Sequence, residues 1–201
     1  MYSVVQSIDS SKICKSKTST MAYKNKTLNN PGMSIRFLQT AKDTNGEFLE
    51  MESTYNSTST EPPVHYHPFQ TEYFYVLSGE ITVRINNELK IFTAGESFVT
   101  KPGEPHSMWN SSEKKTVMNW KIKPAMDTEN LFETLNGLLK DGKPVQKGFK
   151  GLLQMSLTAT KFSSVFRLTI PPFFIQKVLF GILSPFARLA GYRAIYPKYT
   201  D

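Results

Sequence analysis

The sequence predicts a mainly β protein, a double-sheet barrel or sandwich followed by a helical C-terminal extension. Short segments of alternating apolar and polar residues recur between Ser34 and Ile122, separated by Gly, Pro and Asn turn residues. Beyond Pro124 the apolar residues change to helical spacing. All three histidines of the chain, His65, His67 and His106, fall within the strand-rich part.

The elements follow in order. Residues 1–28 are rich in Ser, Lys and Thr and lack apolar periodicity, which predicts a disordered tail. This stretch holds no apolar run long enough for a secretory signal; a transit peptide, or a start at Met21, are alternative readings of it. Residues 29–124 form the predicted barrel. Ser34 to Leu38 alternates, and Phe48 to Tyr55 reads as a second strand. Glu72 to Leu77 is aromatic and β-rich, Ser78-Gly79 turns the chain, and Ile81, Val83 and Ile85 alternate with Thr82 and Arg84. Asn86-Asn87 leads into Leu89 to Phe92, and Ala94-Gly95 into Ser97 to Thr100. Pro102-Gly103 breaks the chain before His106 to Asn110, and Val117 to Ile122 closes the series. Residues 125–201 form the extension. Asp127 to Leu139 places Leu131, Phe132, Leu135, Leu138 and Leu139 at helical spacing, with Gly142 just beyond. Residues 149–160 read as a second helix, and Pro171 to Tyr192, the most apolar stretch, opens on a Pro-Pro helix entry.

Charge divides the chain the same way. Residues 31–137 hold nine basic against fourteen acidic residues, and residues 138–201 hold ten basic against two acidic. The basic part has no helix-turn-helix, zinc-finger or RNA-binding signature beside it, so nucleic acid is not an expected partner. Cys14 is the only cysteine, so no intrachain disulfide forms; a cytoplasmic protein is expected. Within Pro171 to Tyr192, Gln176, Lys177, Pro185 and Arg188 argue against a membrane span. The stretch reads as a helix packed on the barrel or across a homodimer. A helix lying in a lipid interface is the alternative, favoured by Arg167, Arg193, Lys198 and the nearby tyrosines.

The histidines form a pattern with Glu72. His65 and His67 are two residues apart, so on an extended segment both rings face one side, and Glu72 follows His67 by five. A barrel closing with these faces inward brings three imidazoles and a carboxylate to one point. That is a ligand set for one divalent transition metal, and nitrogen and oxygen donors admit Fe, Mn, Ni, Cu or Zn.

His65-x-His67, Glu72 and Gly79, then Gly95, Gly103, His106 and Asn110, stand at spacings that resemble the two motifs of the cupin superfamily. The resemblance covers about residues 34–124. The chain departs from the family pattern at Ser59, where the family has Gly, and at Lys101, where the family has Pro displaced here to Pro102. The resemblance implies a double-stranded β-helix (jelly-roll) barrel with His65, His67, Glu72 and His106 as metal ligands. It leaves the reaction open. Inward alternation proposes Phe74, Val76 and Met108 as an apolar pocket lining, with Tyr66, Phe69, Trp109 and Trp120 near by and Asn110 as a polar contact. Such a pocket suits a small hydrophobic or aromatic molecule. The reading is a metal-dependent enzyme, most simply an oxygen-dependent, dioxygenase-like oxidoreductase in which Glu72 serves as a base. A metal-assisted isomerase or cyclase, and a non-catalytic small-molecule binder, are the alternatives.

Overall fold

The computed structural model describes residues 22–143 and 148–200. In chain order the strands of the barrel are β1 (Thr27–Asn29), β2 (Met33–Gln39), β3 (Leu49–Tyr55), β4 (His65–Tyr66), β5 (Thr71–Ser78), β6 (Glu80–Ile85), β7 (Glu88–Thr93), β8 (Ser97–Thr100), β9 (His106–Trp109) and β10 (Thr116–Lys123). The extension adds helix α1 (Thr128–Lys140), helix α2 (Gly148–Lys161), strand β11 (Arg167–Leu168) and helix α3 (Phe173–Leu189). Two antiparallel sheets face each other, a six-stranded one in the order β1-β2-β3-β10-β5-β8 and a five-stranded one in the order β11-β4-β9-β6-β7. This is the double-sheet barrel expected from the alternation, in the double-stranded β-helix form that the cupin resemblance implies.

Period-two burial produces the core. Ile35 and Phe37, Leu49 and Met51, Phe74 and Val76, Ile81 and Val83, and Met118 and Ile122 are all buried between the sheets. The turn at Gly79 requires glycine. Its φ is +79°, and a Cβ there would lie 2.6 Å from the carbonyl oxygen of Lys115.

One expectation shifts at the N-terminal side. Most of the predicted disordered tail lies outside the described residues, but its last part does not behave as a tail. Ala22 and Leu28 are buried in the barrel core, and Thr27 and Leu28 pair with Arg36 and Ile35 of β2. The reason is on α1, whose Glu129, Glu133 and Asn136 form a buried polar stripe. Glu129 accepts the Ala41 N–H at 2.5 Å, Glu133 pairs with Lys26, and Asn136 donates to the Asn29 carbonyl at 2.9 Å. The helix therefore clamps the segment around β1 onto the barrel.

The extension is anchored throughout. Gln70 donates to the Pro124 carbonyl and to Thr128 Oγ1, both at 2.8 Å, fixing the start of α1. Leu153 and Leu157 of α2 pack on Ala187 of α3. The last residues strap back over α1, with Tyr199 seated on Gly137 and its hydroxyl donating to Asp141. Within Pro171 to Tyr192 the chain forms one 17-residue helix, α3, and no helix of the described residues is long and apolar enough to cross a membrane.

Candidate metal centre

The centre lies between the sheets, and strand pairing assembles it. His65 on β4 is the direct cross-strand partner of His106 on β9, which sets their rings 4.5 Å apart. His67 follows β4 and has its carbonyl held by the Gly103 N–H at 2.8 Å. His65, His67 and His106 each offer a ring nitrogen within 4.8 Å of the others. Glu72 comes from β5 of the facing sheet, and its Oε2 lies 2.9 Å from His106 Nε2 and 3.3 Å from His67 Nε2.

Each histidine is oriented by a backbone carbonyl. Nδ1 lies 3.2 Å from the Pro63 oxygen in His65, 2.6 Å from the Val165 oxygen in His67 and 2.9 Å from the Glu104 oxygen in His106. A carbonyl only accepts, so each Nδ1 carries a hydrogen, and Nε2 is left as the atom that faces the centre and can take a metal once it gives up any proton. This is how metal-ligating histidines are held. The carboxylate is fixed as firmly, since Trp120 Nε1 donates to Oε1 at 3.1 Å and Thr100 Oγ1 to Oε2 at 2.9 Å.

The electrostatics call for a cation. Desolvation at the cavity wall, then repulsion from His106 and His67, holds His65 down at about 3, so at neutral pH it is an uncharged donor. Burial works to raise the Glu72 carboxyl, but the charge of His67 and the hydrogen bond from His106 outweigh it and hold it at about 2. His67 Nε2 is buried with no hydrogen-bond partner despite its proximity to Glu72, because the approach is not aligned for a bond. Without an ion, a proton on His106 Nε2 bridges to Glu72 at 2.9 Å and His67 Nε2 is left over; a divalent ion would replace that proton and take up the free nitrogen as well. The residues therefore fit a divalent ion by donor chemistry and by this orphaned nitrogen.

A cavity of about 590 Å³ opens onto the centre, with His65, His67, Glu72 and His106 in its wall. Of the predicted pocket residues, Met108 and Trp120 line it. Phe74 and Val76 point inward, as alternation requires, but do not reach it. Phe92, Phe98, Phe74, Trp120 and Phe132 stack in sequence with centroids 4.5 to 5.5 Å apart, and this column fills the barrel interior beside the cavity. Asn110 is not a pocket contact either. Its amide donates to the carbonyls of Asn56 and Lys114, and its Oδ1 accepts from Ser112. Ser59, one departure from the family pattern, exchanges hydrogen bonds of 2.8 Å with the Asn110 backbone, so both residues secure loops beside the cavity. Tyr66, Phe69 and Trp109 lie off the cavity wall.

Sequence reasoning missed the outer wall. It is made by the extension: Leu131, Phe132, Leu135 and Leu139 of α1, Met155, Thr158 and Ala159 of α2, and Phe162 and Phe166 beyond it. The helical spacing of Leu131, Leu135 and Leu139 was the visible signal, but an apolar helix stripe looks the same whether it meets a core or a cavity. The extension also reaches the ligands. Val165 holds His67, the Phe166 ring lies 4.7 Å from the His65 ring, and Leu168 of β11 pairs with His65 on β4.

Residues 52–120, from β3 to β10, match the family model described as Cupin domain. Over 56 residues the chain is 45% identical to a protein from Arthrobotrys oligospora named as an oxidoreductase; the match covers 27% of this chain and spans about a fifth (22%) of that protein's length. Among solved structures, an RmlC-like cupin from Shewanella frigidimarina superposes with a TM-score of 0.45 at 21% identity, covering 54% of this chain and 93% of that one. KdgF from Halomonas sp. gives 0.45 at 14% identity, covering 51% and 89%. Ectoine synthase from P. lautus gives 0.45 at 17% identity, covering 59% and 78%.

Proposed function

We propose, on the premise that the barrel of this chain belongs to the cupin superfamily, that the protein is a metal-dependent oxidoreductase acting with oxygen on a small hydrophobic or aromatic molecule. The observation that carries the reading is the meeting of three imidazoles, each held through Nδ1 by a backbone carbonyl, with an apolar cavity of about 590 Å³. His65, His67 and His106 would hold the ion, with Glu72 as the fourth ligand. A redox-active divalent ion bound there supplies positions at which oxygen and a substrate donor are brought together and activated.

The chain's own residues do the rest. Leu131, Leu135, Phe162 and Phe166 present apolar surface to the substrate and, with α1 and α2 across the barrel, exclude water from the centre. Glu72 balances the charge of the ion, and the hydrogen bonds from Trp120 and Thr100 fix its two oxygens; to act as a base it would first have to leave the ion. The oxidoreductase name of the Arthrobotrys oligospora protein supports the reaction class. The test is oxygen uptake by protein reconstituted singly with Fe(II), Mn, Ni, Cu or Zn, across a panel of apolar aromatic compounds. Uptake stoichiometric with product, and lost in His106→Ala, is expected. Product formed without oxygen uptake would replace this reading with an isomerase or cyclase. A stoichiometric ligand that is never turned over would replace it with a binding module.

A further inference from the structure

We propose that α3 and its flanks dock the protein on the anionic surface of a lipid bilayer. Phe174, Val178, Ile182 and Phe186 recur at successive i, i+4 positions on its outer side, with Leu189 beyond, and each is between 60% and 86% exposed. The opposite side is buried through Gln176, Phe180, Ser184 and Ala187. At 100° per residue the exposed apolar arc spans about 140°, and Lys177 and Arg188 share the flank between that arc and the buried side. Single apolar residues on a surface are ordinary; a stripe running the length of a helix marks a contact.

Charge identifies the occupant. From Gly142 to Thr200 the chain has nine Lys and Arg and no Asp or Glu. A second copy seated isologously on α3 would set these cations against their own images. An anionic lipid surface satisfies both features, its acyl boundary taking the stripe and its headgroups taking Lys177, Arg188 and Arg193, all exposed; Lys198 is paired with Asp141. The 17 residues of α3 are about 25 Å long, enough to lie in the interface and too short to cross it.

The location ties this surface to the centre. A cleft of about 150 Å³ between α2 and α3, bordered by Phe173, Lys177 and Phe180, shares Ala159 and Phe166 with the metal cavity. An apolar molecule leaving the bilayer would have this cleft, along the Lys177 flank of α3, between it and the metal cavity. This last step rests on the proposed substrate class; the docking itself does not.

The test is co-sedimentation of the full-length chain with phosphatidylcholine vesicles, with and without phosphatidylserine. Pelleting with the phosphatidylserine vesicles, reversed in large part by salt, is expected. Val178→Glu with Ile182→Glu, both on exposed positions, should leave the circular dichroism spectrum and metal content unchanged while lowering vesicle binding by at least about tenfold. Lys177→Glu with Arg188→Glu should lower it by a factor of about five or more per residue at low salt. The proposal is overturned if the chain pellets with neither vesicle, or if the Val178→Glu, Ile182→Glu variant binds as the parent does. It is equally overturned if light scattering finds a dimer that this variant dissociates, which would assign the stripe to a second copy. Displacement from vesicles by polyglutamate, with the stripe variant unaffected, would assign the basic surface to an acidic protein instead.

Discussion

The carbonyl of Val165 accepts the Nδ1–H of His67 at 2.6 Å, across 98 positions of sequence. Every metal-ligand candidate lies in the barrel, yet one is aimed by a residue of the extension. β11 extends this relationship by pairing Arg167 and Leu168 with Tyr66 and His65. The extension is therefore part of the centre rather than an appendage to it.

Phe166 is where this dependence is most open to substitution. Its ring lies 4.7 Å from that of His65 and forms part of the cavity wall. In Phe166→Ala, His65 loses the surface that fixes its ring plane, and metal affinity is expected to fall about tenfold although every ligand remains. Loss of this packing should also cost about 2–3 kcal/mol of stability. Competition against a chromophoric chelator measures the first effect and urea unfolding the second. Unchanged affinity would mean that β4 alone orients His65.

Removing the metal should leave the fold in place. Ile35, Phe37, Leu49, Met51, Met118 and Ile122 are fully buried and none contributes to the centre, so the barrel has an apolar core of its own, unlike a domain folded by its metal. Chelation is expected to leave the strand signal in circular dichroism intact and to lower the unfolding midpoint by linkage alone, about 2.7 kcal/mol for free metal at a hundred times Kd. A collapse of that signal would make the ion structural.

Cavity occupancy can be separated from metal binding at Ala159, which borders both the cavity and the cleft beneath α3. Ala159→Trp places an indole in the space where the proposed substrate sits and touches no ligand. Metal content should equal that of the parent, while binding of an apolar fluorescent probe should fall at least about tenfold. Equal probe binding in the two proteins would locate the ligand elsewhere.

The barrel was legible because alternation and turns are local properties. A strand with one face buried shows its period directly, and Gly79 marks a turn that a Cβ would block. The three histidines were legible because no others occur in the chain. Alternation says that Phe74 and Val76 point inward but not what else points inward beside them, and the aromatic column was invisible for that reason. The two-residue β11 carries no periodic signal, so the aiming of His67 by Val165 could not be anticipated. Glu129, Glu133 and Asn136 have the look of a solvated helix face. Their burial depends on a partner segment more than 80 positions away.

That buried polar face yields a pH dependence. Burial pushes the Glu129 carboxyl above its ordinary 4.5, the Ala41 N–H opposes this, and the charges of Glu133 and Asp43 add to the rise. A carboxyl raised on folding binds more protons in the native state than in the unfolded chain. Its contribution to stability is full below the ordinary value and is lost as pH rises through the raised one. Glu133 is raised in the same direction by burial, with Lys26 opposing, so the parent protein should lose stability across this window. Glu129→Gln keeps an oxygen for the Ala41 N–H and removes one ionisation. Its unfolding midpoint should exceed the parent's at neutral pH, with the difference shrinking toward pH 4.5 as the parent carboxyl regains its proton. Parallel urea midpoints for the two proteins across that range are the measurement. A constant gap between them would trace the effect to the amide rather than to the proton, and a parent more stable at neutral pH would show that Glu129 is ionised and favourably paired in the folded protein.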